Sequence, residues 1–439
     1  MRFAFSKLII NGALCILMAG SFSAIVARYS TELVISAFVA YRMCVVFFLY
    51  FIGFYLSLRI RFAWRQRISQ IVPILLVFIL IVPICIDLVS ADKLSTVWLH
   101  VQNMGVPFMP MFIVGVLCMR DFSWAPKVAN ISVKLGGLIS FVGVLQWLCG
   151  YSFMRAIGTN MMIGDGGFGA NYGSALNKDG MPIFRVFSLL MNHYDVCAYL
   201  IMAALFSVYL LSIKKMSVLH FSFFLTLYSM GMLVTYNVSG WLLFGIAVVG
   251  SLLILSAFGQ IHIRAKWKML LSMAAFIMFV LMADSEFANR LRMNSNIDLS
   301  SGSSAASRLI YVYNSIELIK MKPMGWGWTY FPSALPRTIT TDNYYFWIGV
   351  FGGIWYVCAY VLLFVLTLLR AFFSLSYLRR NDSGLFSLQV TFLMWVSVAF
   401  LCGLSNFFIA KAMPTVVLYW LCMGTIWSIP LQLKRKICG

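Results

Sequence analysis

Charged residues fill only 10% of the 439 positions, Asp and Glu together number 13, and His occurs four times. A soluble domain carries about 25% charged residues, so a water-facing surface cannot be built from this supply. Hydrophobic residues at 62% and a mean hydropathy of +0.91 leave the bilayer as the solvent. The four histidines (His100, His193, His220 and His262) have no metal-ligand spacing. There is no P-loop, G-x-S-x-G, H-E-x-x-H or D-x-D pair, which excludes the best-marked soluble hydrolases and nucleotide enzymes. Ten cysteines include no C-x-x-C pair and fall mostly in apolar runs, so neither a disulfide framework nor a metal site is indicated. They read as small buried hydrophobes, and no metal and no cofactor is expected.

Apolar runs of spanning length lie at 8–27, 33–57, 69–89, 101–119, 133–150, 189–212, 217–236, 240–258, 268–284, 344–369, 386–404 and 412–430. The expected fold is all-α: a polytopic transmembrane bundle of about twelve spans forming one integral membrane domain over 1–439. Leu8 to Val26 is long enough to span and shows no clear cleavage site, so it reads as the first anchor.

The formal charge of +20 invites a nucleic-acid reading, but its placement explains it better. Counted from an inside N-terminus, every inside segment is basic. Examples are Arg59, Arg61, Arg65 and Arg67, then Lys214 and Lys215, then Lys434, Arg435 and Lys436. The short outside loops hold only Arg28, Lys93 and Lys411. This bias places both termini in the cytoplasm and removes the need for a nucleic-acid partner. Acidic residues go the other way: all but Asp121 and Asp382 face out or sit near that side.

Two outside loops are long, at 151–188 and 285–343, and loops of that length are commonly functional or disordered. Both mix aromatic residues or Met with Gly and charge, which argues against a plain spacer. The second holds an expected short helix over 304–322, closed by Pro323. It is apolar nearly all round, so it lies at the interface or packs on the bundle.

Three groups could carry chemistry. The loops hold Arg155, Arg185, Arg290, Arg292, Arg308 and Arg337 with Lys178, Lys320 and Lys322. Such arginines either clamp a phosphate bidentately or are solvated charges and lipid-headgroup contacts. Asn192-His193-Tyr194-Asp195 is expected about one turn into a span, where ionisable groups are costly. Its His and Asp either orient a hydroxyl and move a proton, or pair with each other. Finally, Gly325-Trp326-Gly327-Trp328 precedes Asp342-Asn343-Tyr344-Tyr345. The Trp rings offer flat apolar faces. Asp342 is either the helix N-cap or a general base, with Glu317 a second candidate base.

In order, these features resemble the bacterial O-antigen polymerase and O-antigen ligase superfamily over roughly 180–355. The resemblance rests on Arg185 with Asn192-His193-Tyr194, the turn Asn237-Val238-Ser239-Gly240, and Ser307-Arg308 before an apolar segment. Lys322-Pro323-Met324-Gly325-Trp326-Gly327 and Asp342-Asn343-Tyr344-Tyr345-Phe346, with Gly349 and Gly352-Gly353, complete it. It implies a GT-C-like membrane glycosyltransferase of the bacterial inner membrane. Such an enzyme moves a saccharide from undecaprenyl pyrophosphate to an acceptor hydroxyl on the periplasmic side, without a metal. The implied pyrophosphate contacts are Arg185 and Arg308, helped by Arg290 or Arg292. The implied bases are Asp342 and His193, and the implied saccharide contacts are Trp326, Trp328, Tyr344 and Asn343. The implied partners are the lipid-linked oligosaccharide, membrane lipids and a chain-length regulator.

The chain departs from the family at two places. Asp342-Asn343 stands where ligases usually show His-Asn, and Gly240 stands where the family has Arg after the Ser of the middle turn. The first departure favours polymerase over ligase. The leading rival from another class is a flippase or transporter, for which about twelve spans is a common count and Arg42 within the second run is the available charge. A structural scaffold would leave the Arg- and Trp-rich loops unexplained.

Overall fold

In the computed structural model, the residues described are 68–89, 109–118, 122–156, 175–176, 182–183, 186, 188–190, 193–261, 304–328, 335–337, 343–404 and 413–438. The runs expected at 8–27, 33–57 and 268–284 lie outside them. Among the described residues the structure is helical, apart from a two-residue antiparallel ladder pairing Ala175–Leu176 with Pro182–Ile183. Five helices are long and apolar enough to cross a membrane, and three apolar stretches are shorter, at Ile71–Ile84, Val218–Leu233 and Thr415–Leu431. Among the described residues the chain is therefore helical, with helices of the length and apolarity that a membrane crossing requires.

The chain divides into two compact units. The first comprises Met1–Leu49, Asp121–Arg290 and Arg379–Trp395, and the second Tyr50–Arg120, Leu291–Leu378 and Val396–Gly439.

The first unit is built around α4 (His193–Ser212), against which α3 (Ala125–Ala156), α5 (Val218–Leu233) and α6 (Val238–Ala257) pack. Every residue of α4 except Tyr194 is buried, as a helix that is apolar all round requires. Close approach depends on small residues. A Cβ on Gly136 of α3 would lie 2.6 Å from Ala203 of α4, and one on Gly231 of α5 would lie 2.6 Å from Ser140 Oγ of α3. Small residues at helix contacts are the usual means of association where lipid removes the hydrophobic drive. Some buried hydroxyls bond to helix carbonyls: Tyr228 donates to the Val133 carbonyl of α3 at 2.7 Å, and Ser207 to the Ala203 carbonyl of its own helix at 2.9 Å.

The second unit contains α1 (Ile68–Val89), α2 (Met111–Cys118), α7 (Ser304–Met321), α8 (Tyr344–Gly352), α9 (Ile354–Asn381), the end of α10 (Ser383–Cys402) and α11 (Met413–Cys438). Glycines also set its closest contact: Gly115 of α2 faces the Leu421 carbonyl of α11, and Gly424 of α11 faces the Phe112 carbonyl. Elsewhere aromatic side chains fill the space. Phe364 and Phe400 stack at 3.6 Å, the Tyr360 and Tyr419 hydroxyls meet at 3.0 Å, and Trp427 donates to Thr367 Oγ1 at 3.0 Å.

Several expected boundaries move. The run placed at 344–369 is two helices, α8 and α9, broken at Gly353 with φ 85° and ψ 170°. The second of them continues to Asn381, and α10 begins two residues later at Ser383, so Arg370, Arg379 and Arg380 lie on a helix and not in a loop. The run placed at 133–150 is a longer helix, Ala125–Ala156, that carries Lys127 and Lys134. Apolarity marks only the part of a helix able to meet hydrocarbon, so polar extensions at its ends go unread. The short helix expected over 304–322 runs Ser304–Met321.

Candidate functional site

Two polar clusters sit at helix ends, one in each unit. In the first unit, the chain entering α4 threads past the end of α5 and along α3. Val186 donates its N–H to the Val234 carbonyl at 3.3 Å. Ser188, at φ 52°, exchanges a reciprocal pair of bonds with Gln146 of α3: its N–H donates to Oε1 at 2.8 Å and its carbonyl accepts from Nε2 at 3.0 Å. Its hydroxyl donates to the Ile139 carbonyl at 2.5 Å. Four bonds thus fix the segment immediately after Arg185.

His193 and Asp195 occupy the first turn of α4, not the second as the sequence suggested. Both are buried, at 3% and 7% exposure, and the His193 ring lies 3.9 Å from that of Tyr194. A carboxylate in the first turn is favoured by the exposed N–H groups of the helix end. An imidazole and a carboxylate two residues apart, both withdrawn from water, have the chemistry to move or hold a proton.

The turn Asn237-Val238-Ser239-Gly240 opens α6 in the same unit. Asn237 is the N-cap: its Oδ1 accepts from the Gly240 N–H at 3.2 Å and from the Ser239 hydroxyl at 2.8 Å. A Cβ on Gly240 would lie 2.8 Å from Cys197 Sγ of α4. The position at which the resembled family carries Arg therefore has no room for a side chain in this chain.

The second cluster is built on the α8–α9 break. The loop from Lys322 to Trp328 leaves the end of α7 and bonds into the gap. Trp326 and Gly327 donate their N–H groups to the carbonyls of Val350 and Phe351, the last turn of α8, at 2.9 and 3.0 Å. Pro323 accepts from the Ile354 N–H, the first of α9, at 3.0 Å. Gly325, with φ 92°, makes this approach possible because any Cβ there would strike the Phe351 carbonyl. Asp87 of α1 accepts from the Trp328 N–H at 2.6 Å, a short, charge-assisted bond.

The loop's two Trp rings have different surroundings. Trp328 is 1% exposed, packed on Phe351 and Tyr356 at 6.3 and 5.2 Å. Trp326 is half-buried, donates its indole N–H to the Leu318 carbonyl at 3.1 Å, and has Lys322 Nζ 5.6 Å from its ring centroid. Tyr344 is buried against Tyr345 and Tyr360. Among the four residues assigned to a saccharide, Trp326 and Asn343 are thus the pair that presents surface.

Asn343, and not Asp342, is the N-cap of α8. Its Oδ1 accepts from the N–H groups of Tyr345 and Phe346 at 3.1 and 3.2 Å, and its Nδ2 donates to the Leu404 carbonyl at 2.9 Å. Tyr344 donates its N–H to the Gly403 carbonyl at 2.9 Å, so the start of α8 is tied to the end of α10. Asp342 itself lies outside the described residues, as do Arg185, Arg290 and Arg292. Arg308 is on the second turn of α7.

No family model matches the chain, and no curated protein matches it.

On α7, Glu317 and Lys320 form an ion pair at 2.9 Å. The hydrogen bond from Lys320 holds the Glu317 carboxyl below its ordinary range, and the same bond raises the Lys320 ammonium above its own. A carboxylate so stabilised is a poorer base, which lowers Glu317's standing as a catalytic candidate. Among the described residues, no three His, Cys, Asp or Glu side chains are grouped to hold a metal ion.

Sequence reasoning missed Asp87 and Gln146, and it quoted Ser188 beside Arg185 without a role. Asp87 carried a usable signal, a lone carboxylate near the end of an apolar run, where a charge needs a partner. Gln146 and Ser188 carried none, because their pairing depends on how α3 meets a segment 42 residues away.

Proposed function

We propose that the chain is a metal-independent glycosyltransferase that acts on a lipid-pyrophosphate-linked saccharide at the periplasmic face of the bacterial inner membrane. In this reading it is a polymerase of repeat units, with about twelve spans, a GT-C-like architecture and both termini in the cytoplasm. Arg185 and Arg308, with Arg290 or Arg292, hold the carrier pyrophosphate. The acceptor hydroxyl gives its proton to Asp342 or His193 as its oxygen bonds to the anomeric carbon. The bond from that carbon to the pyrophosphate oxygen breaks, and undecaprenyl pyrophosphate leaves with the electron pair. The arginines balance the charge that develops on it, the type of stabilisation that needs no metal. Trp326 and Asn343 offer stacking and amide contacts to the saccharide.

The observation that carries the reading is the hydrogen-bonded loop from Lys322 to Trp328. The segment that bears the resemblance, with Lys322 and half-buried Trp326 on it, is folded into the break between short α8 and α9, a helix of membrane-crossing length. The same loop weighs against a transporter. Broken helices in transporters use their free backbone ends to hold ions and substrates. Here Val350, Phe351 and Ile354 spend theirs on the loop. The second reading within the same chemistry is a ligase that passes finished polymer to lipid A-core. It is favoured less because Asp342 stands in the place of the ligase His.

The test is saccharide chain length on a gel after complementing a deletion strain with wild type, Arg308→Ala or Asp342→Asn at matched membrane levels. A polymerase predicts loss of the long-chain ladder with single repeats still reaching the surface. Long carrier-linked chains with no surface saccharide would mean ligase. An unchanged ladder in both variants would remove these residues from the site and return the flippase reading to the front.

A further inference from the structure

Helix α7 carries many apolar residues, yet it is not among the helices apolar enough to cross a membrane. One face is spent on the fold: Ser315 and Leu318 are buried, and Ile319 reaches Gly349 of α8. The opposite face and the turn beyond it present Ile310, Tyr313, Met321 and Met324, each more than half exposed and Met324 75% exposed.

This apolar strip is edged by cations. Lys320 and Lys322 are exposed, and Arg337 lies 5.8 Å from the Tyr313 ring centroid. Lys322 is held in the same manner over Trp326. The one carboxylate of α7, Glu317, is already engaged by Lys320. Cations resting on aromatic rings beside exposed Met and Ile suit the level where acyl chains give way to headgroups. There long basic side chains reach outward to phosphate while apolar neighbours sink inward. A folded protein partner would need a matching acidic surface. A phospholipid layer supplies the anions and the hydrocarbon together.

We infer that the outer face of α7, with Met324 and Arg337, rests on the headgroup layer of an anionic phospholipid bilayer. The inference does not depend on the glycosyl-transfer reading, and its test contains no saccharide donor. A photoreactive benzophenone side chain is placed at 324, in place of Met324, in the full-length protein. The protein is reconstituted into phosphatidylcholine vesicles with and without phosphatidylglycerol, and adducts are identified by mass after illumination.

The expected result is phospholipid adducts enriched in phosphatidylglycerol. That enrichment should fall about fivefold each for Lys322→Gln and Arg337→Gln, the factor for ~1 kcal/mol per basic residue at an anionic surface. Lys322→Arg should retain it, which separates loss of charge from misfolding. Adducts to protein segments alone would overturn the inference. So would adducts to a co-purified polyprenyl carrier alone, or enrichment indifferent to both glutamine variants.

Discussion

Glycine does different work in the two units. Around α4, Gly231 and Gly240 keep ordinary helical backbone and act as gaps. The nearest atom to each built Cβ position belongs to a side chain, Ser140 Oγ at 2.6 Å and Cys197 Sγ at 2.8 Å; at Gly231 the Ser140 Cα also stands at 2.9 Å, whereas at Gly240 only side-chain atoms approach. At the α8–α9 break the atoms facing Gly353 are backbone, with the Met324 carbonyl carbon at 2.6 Å and the Pro323 carbonyl oxygen at 2.7 Å. Its φ of 85° with ψ of 170° also lies in a region essentially reserved for glycine. A gap between side chains can be refilled from the other side. A gap between backbones that also sets a dihedral has no compensating partner. The first unit should therefore tolerate repacking at Gly240, whereas the second is committed to one conformation at its break.

The largest expected effect is from Gly353→Ala. Backbone strain of ~1–3 kcal/mol adds to overpacking of ~1–3 kcal/mol, so thermal unfolding of the detergent-solubilised chain should show a drop of many degrees. No single substitution in the Lys322–Trp328 loop should rescue it, and a rescue from that loop would break the comparison. Gly240→Ala should cost less, about 1–3 kcal/mol by overpacking alone. Adding Cys197→Ala, which removes the Sγ that the new methyl would strike, should restore part of that loss in the same assay. If the double variant is no better than Gly240→Ala, side-chain repacking is not available in the first unit either.

The smallest effect belongs to the surface of α7. Glu317 has a folded-state pKa below its unfolded value, so the contribution of its pair with Lys320 is present above the ordinary carboxylate range. It is lost as pH falls through the depressed value. Lys320→Gln should move the Glu317 titration, followed by carboxyl NMR, back up to the ordinary range, while neutral-pH unfolding barely changes, as for exposed pairs generally.

How far the sequence could be read follows from what each signal depends on. Apolar composition locates α4 and α6 within a few residues, because a span must keep water from its backbone over a fixed length. It did not see the break at Gly353, where two apolar helices run on with no change in composition. The glycine pair Gly352-Gly353 was noted as part of a motif, yet only the docked loop gives it a structural task. The sequence left Asp342 open between N-cap and base, and Asn343 takes the cap, since both are good caps and only backbone geometry chooses between them. Trp326 and Trp328 look equivalent in the sequence, but burial separates them because Trp328 is drawn inward by Asp87 and Tyr356. The proposed arginine clamp rests on residue type and resemblance alone, since single cations in a sequence carry no distance information.

The bond between Asp87 and the Trp328 N–H joins positions 241 residues apart. At a synthesis rate of roughly 5–20 residues per second, α1 waits about 10–50 s on the ribosome for the acceptor's partner to be made. The α8–α9 break, whose clamping loop this bond anchors, can acquire its final form only after α1 has been in place for that time. Order of assembly is thus written into the chain: one contact of its early helix is completed only by its late loop.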